Sequence, residues 1–223
     1  MITGAAQPTT RNHSLASWTV AGTLDDHCQL VLKQLDWPGD EGRHMIRTLG
    51  VTSCRYGEGV STVAAHLAMA AAARRVGKVI LVDANLSRPS VTQIFGASNL
   101  PGLAECVLDD QPVIDALYPT TMENLHVLAS GKVQGSPARA YGAENLLEVV
   151  ADLAANSVLT IFDLPPVRQV SCANRLSAAL DGVVLVVEAE SVRWEAALRV
   201  KEILSRAGAR VVGAILNKRR EAA

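Results

Sequence analysis

The chain has 223 residues, 49% of them apolar, enough for one α/β domain with a sizeable core and a short appendage. Lys and Arg number 21 against 22 Asp and Glu, net charge −1 with the signs interspersed, which argues against bulk nucleic-acid binding. The four cysteines (Cys28, Cys54, Cys106, Cys172) are far apart with no C-x-x-C pair, which excludes a disulfide scaffold and a zinc ribbon and suits reduced thiols in the cytoplasm.

No run approaches the roughly 20 apolar residues of a membrane span. Residues 1–22 lack the basic flank and apolar centre of a signal peptide. The expectation is a cytoplasmic protein that meets the inner membrane only through a partner. Residues 1–22, rich in Thr, Ser, Ala and Gly, are expected to be a flexible tail; Trp18 and Val20 are candidates for docking, but a loosely packed arm is the stronger reading. Residues 23–223 are expected to form a single domain.

Thr23 and Asp26 stand at capping-box spacing, and Leu24, Cys28, Val31, Leu32 and Leu35 follow as a helical stripe that Pro38-Gly39 ends. Residues 44–53 read as the first core strand. It runs into Cys54-Arg55-Tyr56-Gly57-Glu58-Gly59-Val60-Ser61-Thr62, a Gly-containing turn, and then into an Ala-rich helix over 61–75 that is apolar nearly all round and hence buried. Strand, glycine turn and helix N-terminus make the layout of a P-loop, where backbone N–H groups cradle phosphates. That pattern ends in G-K-[ST], its Lys reaching the β- and γ-phosphates. Here the lysine position holds Val60. Within this segment Cys54 reads as a small buried filler rather than a reactive thiol, and His66 as a satisfied core or rim histidine.

Val79-Ile80-Leu81-Val82 is a continuous apolar run, as suits a parallel strand buried on both faces, and it ends in Asp83-Ala84-Asn85-Leu86-Ser87-Arg88-Pro89. Residues 90–101 read as loop, 103–108 and 113–117 as short helices, 125–128 as a strand, and 132–142 as a long loop. A helix over 143–155 leads to a strand over 158–162 that ends in Asp163-Leu164-Pro165-Pro166. A helix over 174–180, a strand over 183–187, a helix over 192–207 and a strand over 210–216 ending at Asn217-Lys218 complete the chain. Strands alternating with helices predict an α/β fold, a mostly parallel central sheet with helices on both faces. In such sheets ligands sit at the carboxyl ends of the strands. The loaded segments 54–62, 83–89, 163–166 and 217 all fall there.

Taken together, Thr52-Ser53 through Thr62, Val79 to Pro89, Gly102-Leu103, Ala129-Ser130-Gly131, Ser136-Pro137, Ile161 to Val167, and Asp181-Gly182-Val183 through Leu216-Asn217 resemble the cytoplasmic domain of bacterial tyrosine kinases of capsule and exopolysaccharide systems. These are relatives of the deviant P-loop partition and division-site ATPases, and the similarity spans residues 47–218. The resemblance implies a P-loop NTPase-like fold that takes ATP or ADP with Mg²⁺. It implies Ser61, Asp83 and Asp163 at the metal, the two carboxylates serving catalysis in an active member. It also implies Arg55, Gly57, Glu58, Gly59, Val60, Ser61, Thr62, Arg88 and Asn217 around the nucleotide, with Arg55 at the place of the deviant family's signature lysine. The implied partner is a membrane polysaccharide co-polymerase or chain-length regulator, and members assemble as homo-oligomers.

The departures from that pattern bear on activity. Val60 replaces the lysine, and Asn85 replaces the second Asp of the second acidic motif. The tyrosines are Tyr56, Tyr118 and Tyr141, and residues 217–223 contain none, where the family's kinases carry a Tyr-rich tail. The family's E-x-x-R-x-x-R assembly motif is matched only by Asp26, Gln29 and Leu32, or by Glu41, His44 and Arg47. Three functions follow from the resemblance: a catalytically defective, pseudokinase-like regulator or scaffold of polysaccharide synthesis and export; an active tyrosine autokinase using Arg55; or a partition-type localisation ATPase. The first accounts for Val60, Asn85 and the missing tyrosines together.

Overall fold

The computed structural model describes residues 22–35, 46–168 and 173–219. The expected N-terminal tail, Pro38-Gly39 and the Glu41/His44 register lie outside the described residues.

Seven strands form one sheet: β1 (Thr48–Ser53), β2 (Val79–Asp83), β3 (Leu117–Pro119), β4 (Leu125–Leu128), β5 (Leu159–Asp163), β6 (Gly182–Glu188) and β7 (Val211–Asn217). Their order is β3-β4-β2-β5-β1-β6-β7, all parallel except β3, which pairs antiparallel with β4. Helices α1 (Gly22–Gln34), α2 (Val60–Ala73), α3 (Ser90–Ile94), α4 (Leu103–Leu108), α5 (Ala138–Gly142), α6 (Leu146–Ala155), α7 (Asn174–Ala178) and α8 (Trp194–Arg206) fill the connections.

The all-apolar strands explain why both faces are covered. Successive side chains of a strand point to opposite faces. Val79 and Leu81 pack with Leu32 of α1 and with Leu67, Ala68 and Ala71 of α2. Ile80 and Val82, one residue out of step, pack with Leu103 of α4, Leu153 of α6 and Leu176 of α7. At the sheet's other end Val183 and Leu185 of β6 meet Val200 and Leu204 of α8, with Cys54 among them. Of the stripe read for α1, Cys28 and Leu32 are buried and Val31 and Leu35 pack against the same core, while the Leu24 side chain lies outside the described residues. The Ala-rich α2 is buried because alanine's small side chain lets a helix lie close to three central strands, β1, β2 and β5.

Several expectations change. Residues 90–101 and 132–142, read as loops, contain the one-turn helices α3 and α5, too short to show an apolar period. The stretch 113–117 is a 3₁₀ turn over Val113–Ala116 followed by β3, whose three residues carry no alternation to read. The helix expected from 143 begins at Leu146, after a turn closed by Leu146 N–H on Ala143 O. The rest agree to within a few residues at each end.

The connections place the reactive segments together. Asp83 of β2 stands in register with Asp163 of β5, and Val51 of β1 stands in register with Asp163 from the other side. The loop after β1 therefore opens over two carboxylates. No helix among the described residues is long and apolar enough to cross a membrane.

Candidate functional site

The loop between β1 and α2 is held by its own residues. Gly57 and Gly59 have φ of +90° and +93°, the left-handed region that glycine enters freely, and Gly59 is also the N-cap of α2. A Cβ on Gly59 would collide with the Asn217 carboxamide, which donates through Nδ2 to Glu58 O at 2.9 Å. Lys218 Nζ donates to Gly57 O and lies 3.2 Å from Glu188 Oε1. The end of β7 thus clasps the outside of the loop.

Glu58 turns inward. It is 1% exposed, and its Oε2 accepts the Cys54 N–H at 3.1 Å while Oε1 faces Arg55 Nε at 3.4 Å. Burial raises the Glu58 carboxyl above its usual value, against the lowering effect of those bonds. The Arg55 guanidinium also donates to Ser191 O and Oγ, at 3.2 and 3.0 Å. Cys54 is the buried filler expected from its place in the chain, its thiol pushed up to about 11 by burial and by Glu58. His66 is buried, with Nδ1 2.8 Å from Thr62 O, as expected of a satisfied histidine.

Two carboxylates form the floor. Ser61 Oγ donates to Asp163 Oδ2 at 2.6 Å, and Asp163 Oδ1 is buried without a hydrogen-bond partner. Burial lifts the Asp163 carboxyl well above its usual value, the neighbouring Asp83 charge lifts it further, and the Ser61 bond opposes both. Asp83 is fully buried; its Oδ2 accepts Thr92 N–H at 2.6 Å and its Oδ1 accepts Asn85 N–H at 3.3 Å. Burial raises it to about 6 despite those bonds. Asn85 Oδ1 is a second buried acceptor without a partner. Buried polar atoms in folded proteins are nearly always hydrogen-bonded; two of the open ones among the described residues share this floor, and two others, His126 Nδ1 and Asn145 Oδ1, lie elsewhere.

Above the floor lies a pocket of about 340 Å³ lined by Ser53, Arg55, Tyr56, Gly57, Gly59, Val60, Ser61, Thr62, Asn85, Arg88 and Ser90, with Ile94, Leu164 and Pro166. The N-terminus of α2 and Ser61 border this pocket, and a helix N-terminus is a favourable place for an anion. Val60 presents an alkyl group where the P-loop pattern holds an ammonium.

The ParA family, described as NUBPL iron-transfer P-loop NTPase, matches residues 44–221. The tyrosine-protein kinase YwqD of Bacillus subtilis is 33% identical over 172 residues, covering 77% of this chain and 72% of its own. This chain belongs to the bacterial tyrosine-protein kinase family of ParA-type P-loop NTPases. Among solved structures, the chimerical protein CapA2B2 superposes with a TM-score of 0.78 at 28% identity, covering 88% of this chain and 85% of that one. The septum site-determining protein MinD of Pyrococcus horikoshii, complexed with Mg-ADP, gives a TM-score of 0.64 at 26% identity, covering 77% and 70%.

Of the residues expected at the site of this tyrosine-kinase-family domain, Arg55, Gly57, Gly59, Val60, Ser61, Thr62 and Arg88 line the pocket, and Asp83 and Asp163 lie beneath it. Glu58 and Asn217 do not line it. Glu58 faces the loop's interior, and Asn217 donates through Nδ2 to the loop's backbone. Sequence reasoning missed Tyr56, whose ring lies under the Arg88 guanidinium, Cζ 4.3 Å from the ring centroid. It also missed Tyr141, whose hydroxyl donates to Ala84 O at 2.7 Å and accepts Leu86 N–H at 3.3 Å, fixing the loop that carries Arg88. Tyr56 stood inside the quoted motif and could have been found there. Nothing local marked Tyr141.

The residues present fit Mg²⁺ in part. Ser61 Oγ, Asp163 Oδ1 and the Asn85 carboxamide oxygen are hard oxygen donors of the kind magnesium takes with nucleotide phosphates. No cluster of three His, Cys, Asp or Glu side chains capable of holding a metal alone occurs among the described residues.

Proposed function

We propose that this protein is a tyrosine-kinase-like regulator that holds the phosphates of ATP or ADP weakly and does not transfer them. It would act on the cytoplasmic side of the inner membrane as a scaffold or regulatory partner of a polysaccharide co-polymerase in capsule or exopolysaccharide synthesis and export. The observation that carries this reading is Val60, an alkyl side chain lining the pocket where the phosphate-binding lysine belongs. Phosphoryl transfer in P-loop proteins is almost entirely positioning and electrostatic stabilisation. Loss of one cation about 4 Å from a phosphate removes on the order of 4 kcal/mol at an effective dielectric of 20.

Arg55 supports the same reading. Its guanidinium is engaged by Glu58 and Ser191, so it braces the loop against the connection after β6. The retained glycine turn, the Ser61–Asp163 bond and the two open acceptors support nucleotide binding without turnover. In a bound state Mg²⁺ would supply the charge neutralisation that Val60 does not. Ser61 and Asp163 would orient it, and the backbone of residues 57–61 would wrap the phosphates.

The test is Val60→Lys assayed beside the unaltered protein for ATP affinity and for phosphorylation of a Glu/Tyr copolymer. The expected result is tighter ATP binding by about tenfold or more in the variant, the lower end of what one phosphate-contacting ammonium contributes. The unaltered protein is expected to give no phosphotyrosine. Phosphotyrosine formed equally by both proteins would overturn the proposal in favour of an active kinase.

A further inference from the structure

The pocket over the β1–α2 loop has two cations in its lining, Arg55 and Arg88. They differ in what already holds them. Arg55 is bonded to Glu58 and to Ser191. Arg88 pairs with no carboxylate among the described residues and is held instead by the face of Tyr56. A guanidinium stacked on an aromatic ring keeps its in-plane N–H donors free, because the ring meets the flat face and leaves the edge open. Stacking therefore fixes Arg88 over the pocket without consuming the groups that recognise a phosphate.

The scaffold under Arg88 is also built rather than loose. Arg88 N–H closes a turn on Asn85 O at 3.0 Å, Asp83 fastens the start of α3 through Thr92 N–H, and buried Tyr141 grips Ala84 and Leu86 from beneath. Tyr56 comes from the phosphate loop itself, so the stack ties the two walls of the pocket together across its mouth. The open, buried Asp163 Oδ1 and Asn85 Oδ1 below are a second and independent mark of a ligand at this place.

We propose that Arg88, held by Tyr56, is the phosphate-binding cation of this chain, taking over from the lysine that Val60 replaces, and that its ligand is the polyphosphate of a nucleotide. This rests on the nucleotide-binding reading above and adds which side chain carries the charge. A guanidinium can take two phosphate oxygens at once with paired N–H donors, a geometry an ammonium lacks. Approaching from the β2–α3 side, it would grip the terminal phosphate at the mouth of the pocket. That suits holding the ligand more than stabilising an in-line transfer.

The experiment is calorimetric titration of the full chain with ATP, with inorganic tripolyphosphate and with AMP, each with Mg²⁺, at low and high salt. Four proteins are compared: unaltered, Arg88→Ala, Arg55→Ala and Tyr56→Ala, with Tyr56→Phe as the conservative control and thermal unfolding as the check on folding. Arg88→Ala is expected to weaken ATP and tripolyphosphate alike by about tenfold or more, as loss of a charge-assisted contact does, and to flatten the salt dependence. Arg55→Ala is expected to weaken ATP and tripolyphosphate by clearly less than Arg88→Ala, because Arg55 acts through the loop it braces. Tyr56→Ala should weaken binding and Tyr56→Phe should not, because the ring and not the hydroxyl holds the guanidinium. Unchanged affinity in a folded Arg88→Ala protein would overturn this assignment while leaving nucleotide binding intact. Absence of any ATP or tripolyphosphate binding by the unaltered protein would overturn both readings.

Discussion

Asp83 is the group whose replacement has the most calculable consequence. It is fully buried and its carboxyl is raised from 3.8 to about 6. A carboxyl that is harder to ionise in the folded state makes the fold bind more protons than the unfolded chain. Stability is then fullest below pH 3.8, falls as the pH climbs towards 6, and levels off above it. At about 1.36 kcal/mol per pH unit Asp83 alone accounts for a loss of about 3 kcal/mol across that window in the ligand-free protein. Asp83→Asn removes the titration. Its carboxamide oxygen still accepts Thr92 N–H, but its amide group cannot accept the longer bond from Asn85 N–H, at a cost of about 1 kcal/mol. The variant should therefore be slightly less stable than the unaltered protein at pH 4 and about 2 kcal/mol more stable at pH 7.5. Removal of the Asp83 charge also lowers Asp163, so the variant's own pH slope should be shallower. Urea unfolding at pH 4, 5, 6 and 7.5 without nucleotide reads this directly. Parallel stability curves for the two proteins would refute the reasoning, since they would mean that burial places no charge penalty on Asp83.

Two further variants test the scaffold. Tyr141→Phe leaves Ala84 O and Leu86 N–H without their phenolic partner beneath the Arg88 loop and should cost about 1–3 kcal/mol in urea unfolding, with weaker tripolyphosphate binding. Gly59→Ala places a methyl group against Asn217 Nδ2 in a left-handed conformation. It should destabilise by more than about 1 kcal/mol, and Gly57→Ala, equally left-handed but with open space around its Cβ, should cost less.

The parallel sheet could be read from the chain because its strands are short runs with both faces apolar, and a strand of that kind has to be covered on both sides. Asp83 and Asp163 were legible for the same reason: each ends such a run, and ends of neighbouring parallel strands meet. Val60 stood out by spacing alone. The one-turn helices α3 and α5 and the three-residue β3 were not legible, because a pattern needs more residues than they have. Side-chain direction was equally hidden. Nothing in Gly57-Glu58-Gly59 indicates that Glu58 turns inward to Cys54, and nothing near Arg55 announces Ser191, 136 residues away. Tyr141 reaches the Ala84 loop across 57 residues of sequence, a contact that only the packing of α5 creates.

The most direct test of a site that binds without transferring is one incubation of the unaltered protein with Mg²⁺ and ATP labelled on the γ-phosphate. Retained nucleotide, released phosphate and protein-bound phosphate are measured from the same sample. The expected result is label retained as intact ATP, with neither released phosphate nor phosphotyrosine above the level of a protein-free control. Label appearing on tyrosine in proportion to time and protein concentration would contradict it and would establish an active kinase that works without the lysine.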